Sequence, residues 1–331
     1  MREINTNSAF SEAVQKEMAR DPQVILMGQD ILGTAGCFST YMGCPQKFPD
    51  RCLDMPIAES GYTHVSNGLA LAGFRPIVEL AFSSFATIAS DAIINGAADF
   101  RFCSLGQAKV PSTFVMANGG GGVYDGVGFG CNHSQCMESM FTFTPGLKVV
   151  MPFYPSDVHG LLRASIQDDD PVVFLYDLIA LGLRENVDFS AEDDYIIPLT
   201  NAAKIIKEGD DVTVVALQSM IPIAIQAAEE LQKRGISVEI IDPRVLIPFD
   251  SKKVIESVRK TGKLVIVHEA HKRGSFAGEI IKVIMEEDAT LIKKPVKVLG
   301  ALNSPLGSGY TEAYIMPHAK DVIAAVDELM K

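Results

Sequence analysis

The sequence predicts an α/β protein built as two doubly wound domains with mostly parallel sheets. Three observations carry this. Short continuous apolar runs, such as Val24-Ile25-Leu26-Met27-Gly28, alternate with stretches of helical periodicity. A strand buried on both faces needs such a run. The alternation breaks over residues 177–200, which are charged and irregular, and then resumes. The chain, at 331 residues, is also longer than one hydrophobic core usually serves. Domains over 1–185 and 200–331 are expected.

The elements follow in order. Phe10, Ala13, Val14 and Met18 lie at helical spacing behind Asn7 and Ser8, both good helix caps. Asp21-Pro22 stops that helix, and 24–28 is the first strand. Residues 31–53, rich in Gly, Cys and Ser, read as a long loop with little regular structure. Glu59 sits in a strand end or tight loop just ahead of a small-residue helix that runs toward Gly73, followed by the apolar strand Pro76-Ile77-Val78-Glu79-Leu80. Phe85, Ile88, Ala89, Ala92, Ile93, Gly96, Ala97 and Phe100 fit one helical face, small enough for a close helix neighbour.

Strands are expected at 110–116, 147–152 and 172–176, with a helix at 157–167. Asp168-Asp169-Asp170-Pro171 reads as a solvated acidic turn before a cation site. In the second half the pattern places strands at 212–217, 236–241, 264–268 and 296–299. Helices fall at 222–233, 251–260, 276–285 and 321–330. Gly235 is a fitting stop signal for the first of these.

Composition removes several function classes. Hydrophobic residues make up 47% and charged residues 21%, the balance of an ordinary globular protein. A net charge of −12 disfavours nucleic acid, whose phosphates attract basic patches. No apolar run reaches membrane-spanning length, so no membrane partner is expected. The opening Met1-Arg2-Glu3-Ile4-Asn5 has neither a signal-peptide nor a transit-peptide pattern. Cysteines at 37, 44, 52, 103, 131 and 136 are scattered rather than arranged as a disulfide framework. A reducing cytoplasm is the expected compartment. Cys131, His133 and Cys136 form one cluster without the second pair that a structural zinc site needs.

Candidate chemistry centres on Met55-Pro56-Ile57-Ala58-Glu59-Ser60-Gly61. Glu59 lies just ahead of a helix, where the helix dipole favours its charged form. Read alone, it is a helix-capping glutamate. Gly119 to Gly122, then Gly126, Gly128 and Gly130, follow a strand. Their spacing matches neither the dinucleotide fingerprint nor a P-loop, so a close-approach loop beside a ligand is favoured over a phosphate cradle. His133 follows that loop and precedes Ser134 and Gln135, polar groups able to orient an imidazole. It reads as structural or catalytic. Glu59, Phe85 and His133 fit a shared pocket at the carboxyl ends of neighbouring strands, where open α/β sheets bind ligands. The residues alone do not establish that convergence.

Several blocks occur together, in order. Among them are Gly28-Gln29-Asp30, Met55 to Gly61, Gly68 to Pro76, Asp91 to Ala98, His133-Ser134-Gln135, Pro145 to Val150, Asp168 to Val173, Gly235 to Asp242 and His268-Glu269-Ala270. The ordered set resembles the beta subunit of the thiamine-diphosphate-dependent decarboxylating component of 2-oxo acid dehydrogenase complexes, the pyruvate, acetoin and branched-chain family. The resemblance covers nearly the whole chain. It implies a pyrimidine-binding domain followed by a transketolase C-terminal-like domain.

The resemblance also implies roles. Glu59 matches the glutamate that hydrogen-bonds the cofactor's pyrimidine and favours its imino tautomer. Phe85 matches the aromatic that packs on the pyrimidine, and Ile57 joins them as a cofactor-binding residue. His133 matches a histidine acting on substrate or acyl transfer. Thr113, Asp168 and Asp170 match a structural monovalent-cation site, with K+ as the ion. The substrate implied is a 2-oxo acid or acetoin.

One absence fits this resemblance. Enzymes of this type hold Mg2+ and diphosphate through a Gly-Asp-Gly motif, and none occurs in this chain; Gly209-Asp210-Asp211 lacks the second glycine. The resemblance therefore implies an alpha subunit that holds Mg2+, an α2β2 heterotetramer, and docking to a lipoyl-bearing acyltransferase core. There are departures as well. Gln29 stands where the family usually has an acid. Val115-Met116-Ala117 replaces a usual Arg-Gly-Pro, and the loop before His133 is longer. The alternatives are a split transketolase, another two-chain thiamine-diphosphate synthase or lyase, or a scaffold without catalysis.

Overall fold

A computed structural model of the chain describes residues 1–119, 129–189, 195–306 and 311–331. It divides into two compact units. One is Met1–Asn118 with Met140–Leu199, the other Gly119–Ser139 with Thr200–Lys331. Most of the glycine-rich run, residues 120–128, lies outside the described residues.

The first unit is built on parallel strands in the order Lys148–Val150, Val172–Asp177, Thr113–Asn118, Arg75–Phe82, Val24–Gly28 and Cys52–Asp54. The 24–28, 113–118 and 172–177 strands are buried at every residue, as their continuous apolar sequence requires. After the 24–28 strand the chain steps to 52–54 on one side, then returns to 75–82 on the other. That reversal is a topological switch point, and ligands bind outside the carboxyl ends of strands at such points.

Helix Thr6–Arg20 packs on helix Pro155–Gln167. Between them Arg163 Nε donates to the Glu17 carboxylate at 2.6 Å, with both side chains buried. The first helix is capped by Asn5, whose side chain accepts from Ser8 N–H at 2.8 Å. The cap thus lies two residues before the expected Asn7.

Residues 31–53 are ordered, unlike the expected irregular loop. They form short helices Ile31–Thr34 and Cys44–Lys47 and the edge strand Cys52–Asp54. Arg51 holds the segment down by donating to the carbonyls of Met18, Asp21 and Val24. Tyr41, fully buried, ties it to the sheet.

The stretch expected as one helix over 85–100 is segmented. Ala86–Ser90 is α-helical, Asp91–Ala97 is π-helical and Ala98–Cys103 is α-helical again. Asn67 Nδ2 donates to the Ala92 carbonyl at 2.7 Å, satisfying a carbonyl beside the widened turn. Ile88, expected on the inner face, is exposed, while Ala86, Ala89, Ala92, Ile93 and Ala97 are buried.

The second unit has a five-stranded sheet in the order Lys297–Ala301, Leu264–His271, Val212–Ala216, Val238–Asp242 and Lys204–Lys207. The first four are parallel and the last is antiparallel. Lys204–Lys207 was not expected as a strand. Its Lys-Ile-Ile-Lys sequence is that of a charged edge strand, too polar for the buried pattern. Helices Met220–Gln232, Ser251–Thr261, Ala277–Asp288 and Ala319–Met330 alternate with these strands. Segment 119–139 joins this unit through Cys131, whose thiol donates to the Leu306 carbonyl, and through Cys136, whose sulfur lies 3.8 Å from Glu269 Oε2.

Candidate active site

Glu59 follows the 52–54 strand and is the first residue of helix Glu59–Leu71. The cap position is Ala58, with no side-chain cap bond, so Glu59 stands inside the first turn. Its side chain is buried at 5% exposure, although the dipole alone rewards a carboxylate left in water at that position. Its partner comes from the neighbouring strand end. Gln29, directly after the 24–28 strand, donates from Nε2 to Glu59 Oε1 at 3.0 Å.

A second buried carboxyl lies one strand away. Glu79 sits in the 75–82 strand beside Gly28 in register and is 1% exposed. Any Cβ on Gly28 would stand 2.6 Å from the Glu79 Cβ, so a glycine is required for the two to pair. Tyr41 Oη donates to Glu79 Oε2 at 2.6 Å, and Tyr62 Oη donates to the Glu79 carbonyl at 3.1 Å. The ladder between 75–82 and 113–118 slips between Glu79 and Phe82. Ala81 there adopts a left-handed φ of 55°. Bulges of this kind recur beside active sites and re-aim side chains.

Electrostatics separate this cluster from the rest of the unit. Burial pushes the Glu79 carboxyl up to about 8, against the opposing bond from Tyr41. A carboxyl in that range is largely protonated at pH 7. Burial also raises Tyr41 and Tyr62, with Glu79 and Glu59 adding to the effect on Tyr62. The groups bonded to the Glu59 and Glu79 carboxyls are an amide and a phenol, neither of them cationic.

Phe85 follows the 75–82 strand in the short turn Ser83–Phe85. Its ring meets Phe82 edge-on at 5.4 Å, and Phe82 meets Phe38 at 5.3 Å. Ile57, two residues before Glu59, is 83% exposed, an unusual place for a large aliphatic side chain. Glu59, Ile57 and Phe85 thus belong to loops at the carboxyl ends of parallel strands in one unit.

His133 belongs to the second unit. Its N–H donates to the Gly130 carbonyl at 3.1 Å, and Ser134 Oγ, fully buried, accepts from Phe129 N–H at 3.0 Å. Gln135, a polar group able to orient the imidazole, also serves the backbone. Its amide donates to the Cys131 carbonyl at 2.8 Å, closing the turn that carries His133. The segment is anchored at Glu269, which accepts from Ser219 Oγ. Gly119 has φ +70°, and a Cβ there would meet Glu269 Oε2 at 2.1 Å.

The acidic turn is half-exposed, as a solvated turn would be, and its carboxylates are paired with side-chain cations. Lys148 Nζ donates to both Asp168 oxygens at 2.6 Å and lies 3.4 Å from Asp170. Arg101 pairs with Asp170, and Arg75 and Lys109 pair with Asp169 at 2.7 and 2.6 Å. These bonds hold the Asp169 carboxyl below the usual carboxylate range. Thr113 is buried in its strand. The donor set does not fit a carboxylate-bound cation, because side-chain cations already occupy the carboxylates. Among the described residues no group of three or more His, Cys, Asp or Glu gathers as metal ligands.

Gln29, Tyr62, Glu79 and Tyr41 were not singled out as site residues from the sequence. Signals existed for two of them: Gln29 departs from the acid usual in the family, and Glu79 is a carboxylate inside an otherwise apolar, doubly buried strand.

Comparison with known proteins defines the class. Residues 2–182 match the family model "Transketolase, pyrimidine binding domain", and 201–322 match "Transketolase, C-terminal domain". The chain is 37% identical over 329 residues to the pyruvate dehydrogenase E1 component subunit beta of Pisum sativum, covering 98% of this chain and 89% of the relative. It is 35% identical over 343 residues to the acetoin:2,6-dichlorophenolindophenol oxidoreductase subunit beta of Bacillus subtilis, covering 99% and 98%. A solved structure titled "Split gene transketolase, inactive beta4 tetramer" superimposes with a TM-score of 0.77 at 25% identity, covering 98% of this chain and 97% of that one. The chain belongs to the family of E1 component beta subunits of pyruvate and acetoin dehydrogenases. Among the described residues no helix is long and apolar enough to cross a membrane.

Proposed function

We propose that this chain is the pyrimidine-binding half of a split thiamine-diphosphate active site, completed by an alpha subunit in an α2β2 heterotetramer. The observation that carries the reading is the buried Glu59 carboxylate, whose hydrogen-bond partner is an amide instead of a cation. A carboxylate has about four acceptor positions, and Gln29 uses one. The capacity left fits a ligand N–H of the kind a pyrimidine offers. When bound, thiamine diphosphate supplies a carbon nucleophile and electron sink.

Within this chain, Glu59 holds a proton shared with the pyrimidine, Gln29 keeps Glu59 in place, and Phe85 and Ile57 supply apolar contacts that exclude water. His133 acts on substrate or acyl transfer. Mg2+ and the diphosphate fall to the alpha subunit, in keeping with the missing Gly-Asp-Gly. The substrate is pyruvate, another 2-oxo acid or acetoin, with the acyl group passed to a lipoyl-bearing acyltransferase. The six free cysteines support a reducing compartment such as the cytoplasm.

The test is co-expression with the alpha subunit. The purified complex is screened on pyruvate, branched 2-oxo acids, acetoin and ketose phosphates, with an artificial electron acceptor and thiamine diphosphate. Turnover of a 2-oxo acid or acetoin is expected. Turnover of ketose phosphates alone would replace this reading with that of the split transketolase.

A further inference from the structure

Gln29 occupies a junction. Its amide donates to Glu59 Oε1 at 3.0 Å, and Tyr62, from the same helix as Glu59, donates its hydroxyl to the Glu79 carbonyl at 3.1 Å. Glu59, Tyr62 and Glu79 are buried at 5%, 2% and 1% exposure, and Gln29 itself is half-buried. The first bond ties the start of this helix to the end of one strand, and the second ties the same helix to the middle of the next strand. Both donors are uncharged, and neither ionises in the ordinary working range.

An amide N–H donates at every pH and cannot take a proton. Glu59 Oε1 is therefore held as an acceptor, and a carboxyl proton is directed to the other oxygen. A carboxylate in place of Gln29 would behave differently. Two carboxylates at hydrogen-bond distance in a buried site share one proton, and the pair titrates in two separated steps.

We propose that Gln29 is a positioning residue for Glu59: its amide reserves Oε1 as an acceptor and leaves Oε2 as the oxygen that shares a proton with a ligand. The other groups facing this pair are Tyr62, from the same helix as Glu59, and Glu79 and Tyr41 behind it. Asp30 and Asp54 stand nearby at exposed strand ends. This inference rests on Glu59 being the cofactor carboxylate, and the experiment separates the two.

The variants are Q29L, which removes the donor, and Q29E, which donates only while protonated. Gln29 is partly exposed, so neither variant empties a core position. In the α/β complex, Q29L lowers kcat about tenfold at every pH, the loss of one charge-assisted hydrogen bond. Q29E keeps activity at low pH and loses it as pH rises. Its midpoint lies at least about one unit above the ordinary glutamate value of about 4.3. A residue that merely fills space would leave the ratio of Q29E to wild type flat with pH, and that result overturns the proposal.

The second readout needs no cofactor. In the infrared spectrum of the full chain, Q29E adds a protonated carboxyl band that disappears at that raised pH. In Q29E/E59Q the same band titrates about one unit or more lower. A band that titrates alike with and without Glu59 also overturns the proposal. If the bands are coupled but the E59Q complex turns over normally, the positioning stands and the cofactor reading of Glu59 falls. If E59Q is inactive but the bands are uncoupled, the reverse holds.

Discussion

Two groups of carboxylates in the first unit differ in their partners, and the contrast bears on what each can do. Asp168, Asp169 and Asp170 lie at a half-exposed turn, and each faces Lys or Arg. A cation beside a carboxylate favours its ionised form, which suits a fixed clasp between chain segments. Glu59 and Glu79 are buried, and the side chains bonded to them are an amide and a phenol. Such a partner leaves protonation to be set by burial and by a ligand. The residues with the most conspicuous acidic sequence are thus the cation-paired ones, while Glu59 and Glu79 are the buried pair whose side-chain partners are uncharged.

This contrast can be broken from either side. The largest effect is expected at Glu59. In the complex with its alpha subunit, Glu59→Gln should cut kcat by about 10²-fold or more while the assembly still forms. Steady-state kinetics beside size-exclusion chromatography decide it, and near-normal turnover would place Glu59 with the structural group.

Glu79 sharpens the contrast through pH. Its carboxyl is raised from an ordinary 4.5 to about 8. The folded state therefore keeps a proton that the unfolded state releases. The contribution is fully present below pH 4.5 and is lost as pH climbs through 8, at up to about 1.4 kcal/mol per pH unit. Glu79→Gln should flatten that decline, so the variant gains on wild type as pH rises from 5 to 8. Thermal melts across this range measure it, and parallel curves would mean that Glu79 is already ionised.

The smallest effect belongs to the acidic turn. Asp168→Asn removes one partner of Lys148, a pair with side-chain exposures of 27% and 19%. A loss of about 1 kcal/mol or less is expected, shrinking with added salt. The corresponding fall in Tm is about 2–4 °C. Turnover of the complex should not change. A fall in turnover would show that the turn serves the site.

Much of the fold was legible because buried parallel strands write themselves as apolar runs, as at 24–28 and 172–177. What escaped was set by partners far along the chain. The 31–53 segment looked irregular because its order comes from Arg51 bonding three carbonyls and from Tyr41 reaching Glu79, 38 residues away. The 85–100 pattern looked like one helix because periodicity does not report the Asn67 bond beside the π-helical turn. The ion pairing of the acidic turn was not visible because Lys148 is 20 residues distant in sequence.

At the site, Glu59 was legible from the ordered blocks around it. Gln29 was visible as a departure, but its bond to Glu59 spans 30 residues and leaves no local pattern. Glu79 was visible as a charge within an apolar strand, without a role. The turn around His133 left no local pattern for the bond that closes it. Gln135 bonds backbone there, a choice that depends on the loop's shape.

The central claim is that this chain holds one half of a cofactor site. Isothermal titration calorimetry with thiamine diphosphate and Mg2+ tests it most directly, on the purified chain and on the complex with its alpha subunit. The account predicts no measurable binding to the chain alone and saturable binding to the complex, at one site per alpha–beta pair. Tight binding to the isolated chain would contradict it.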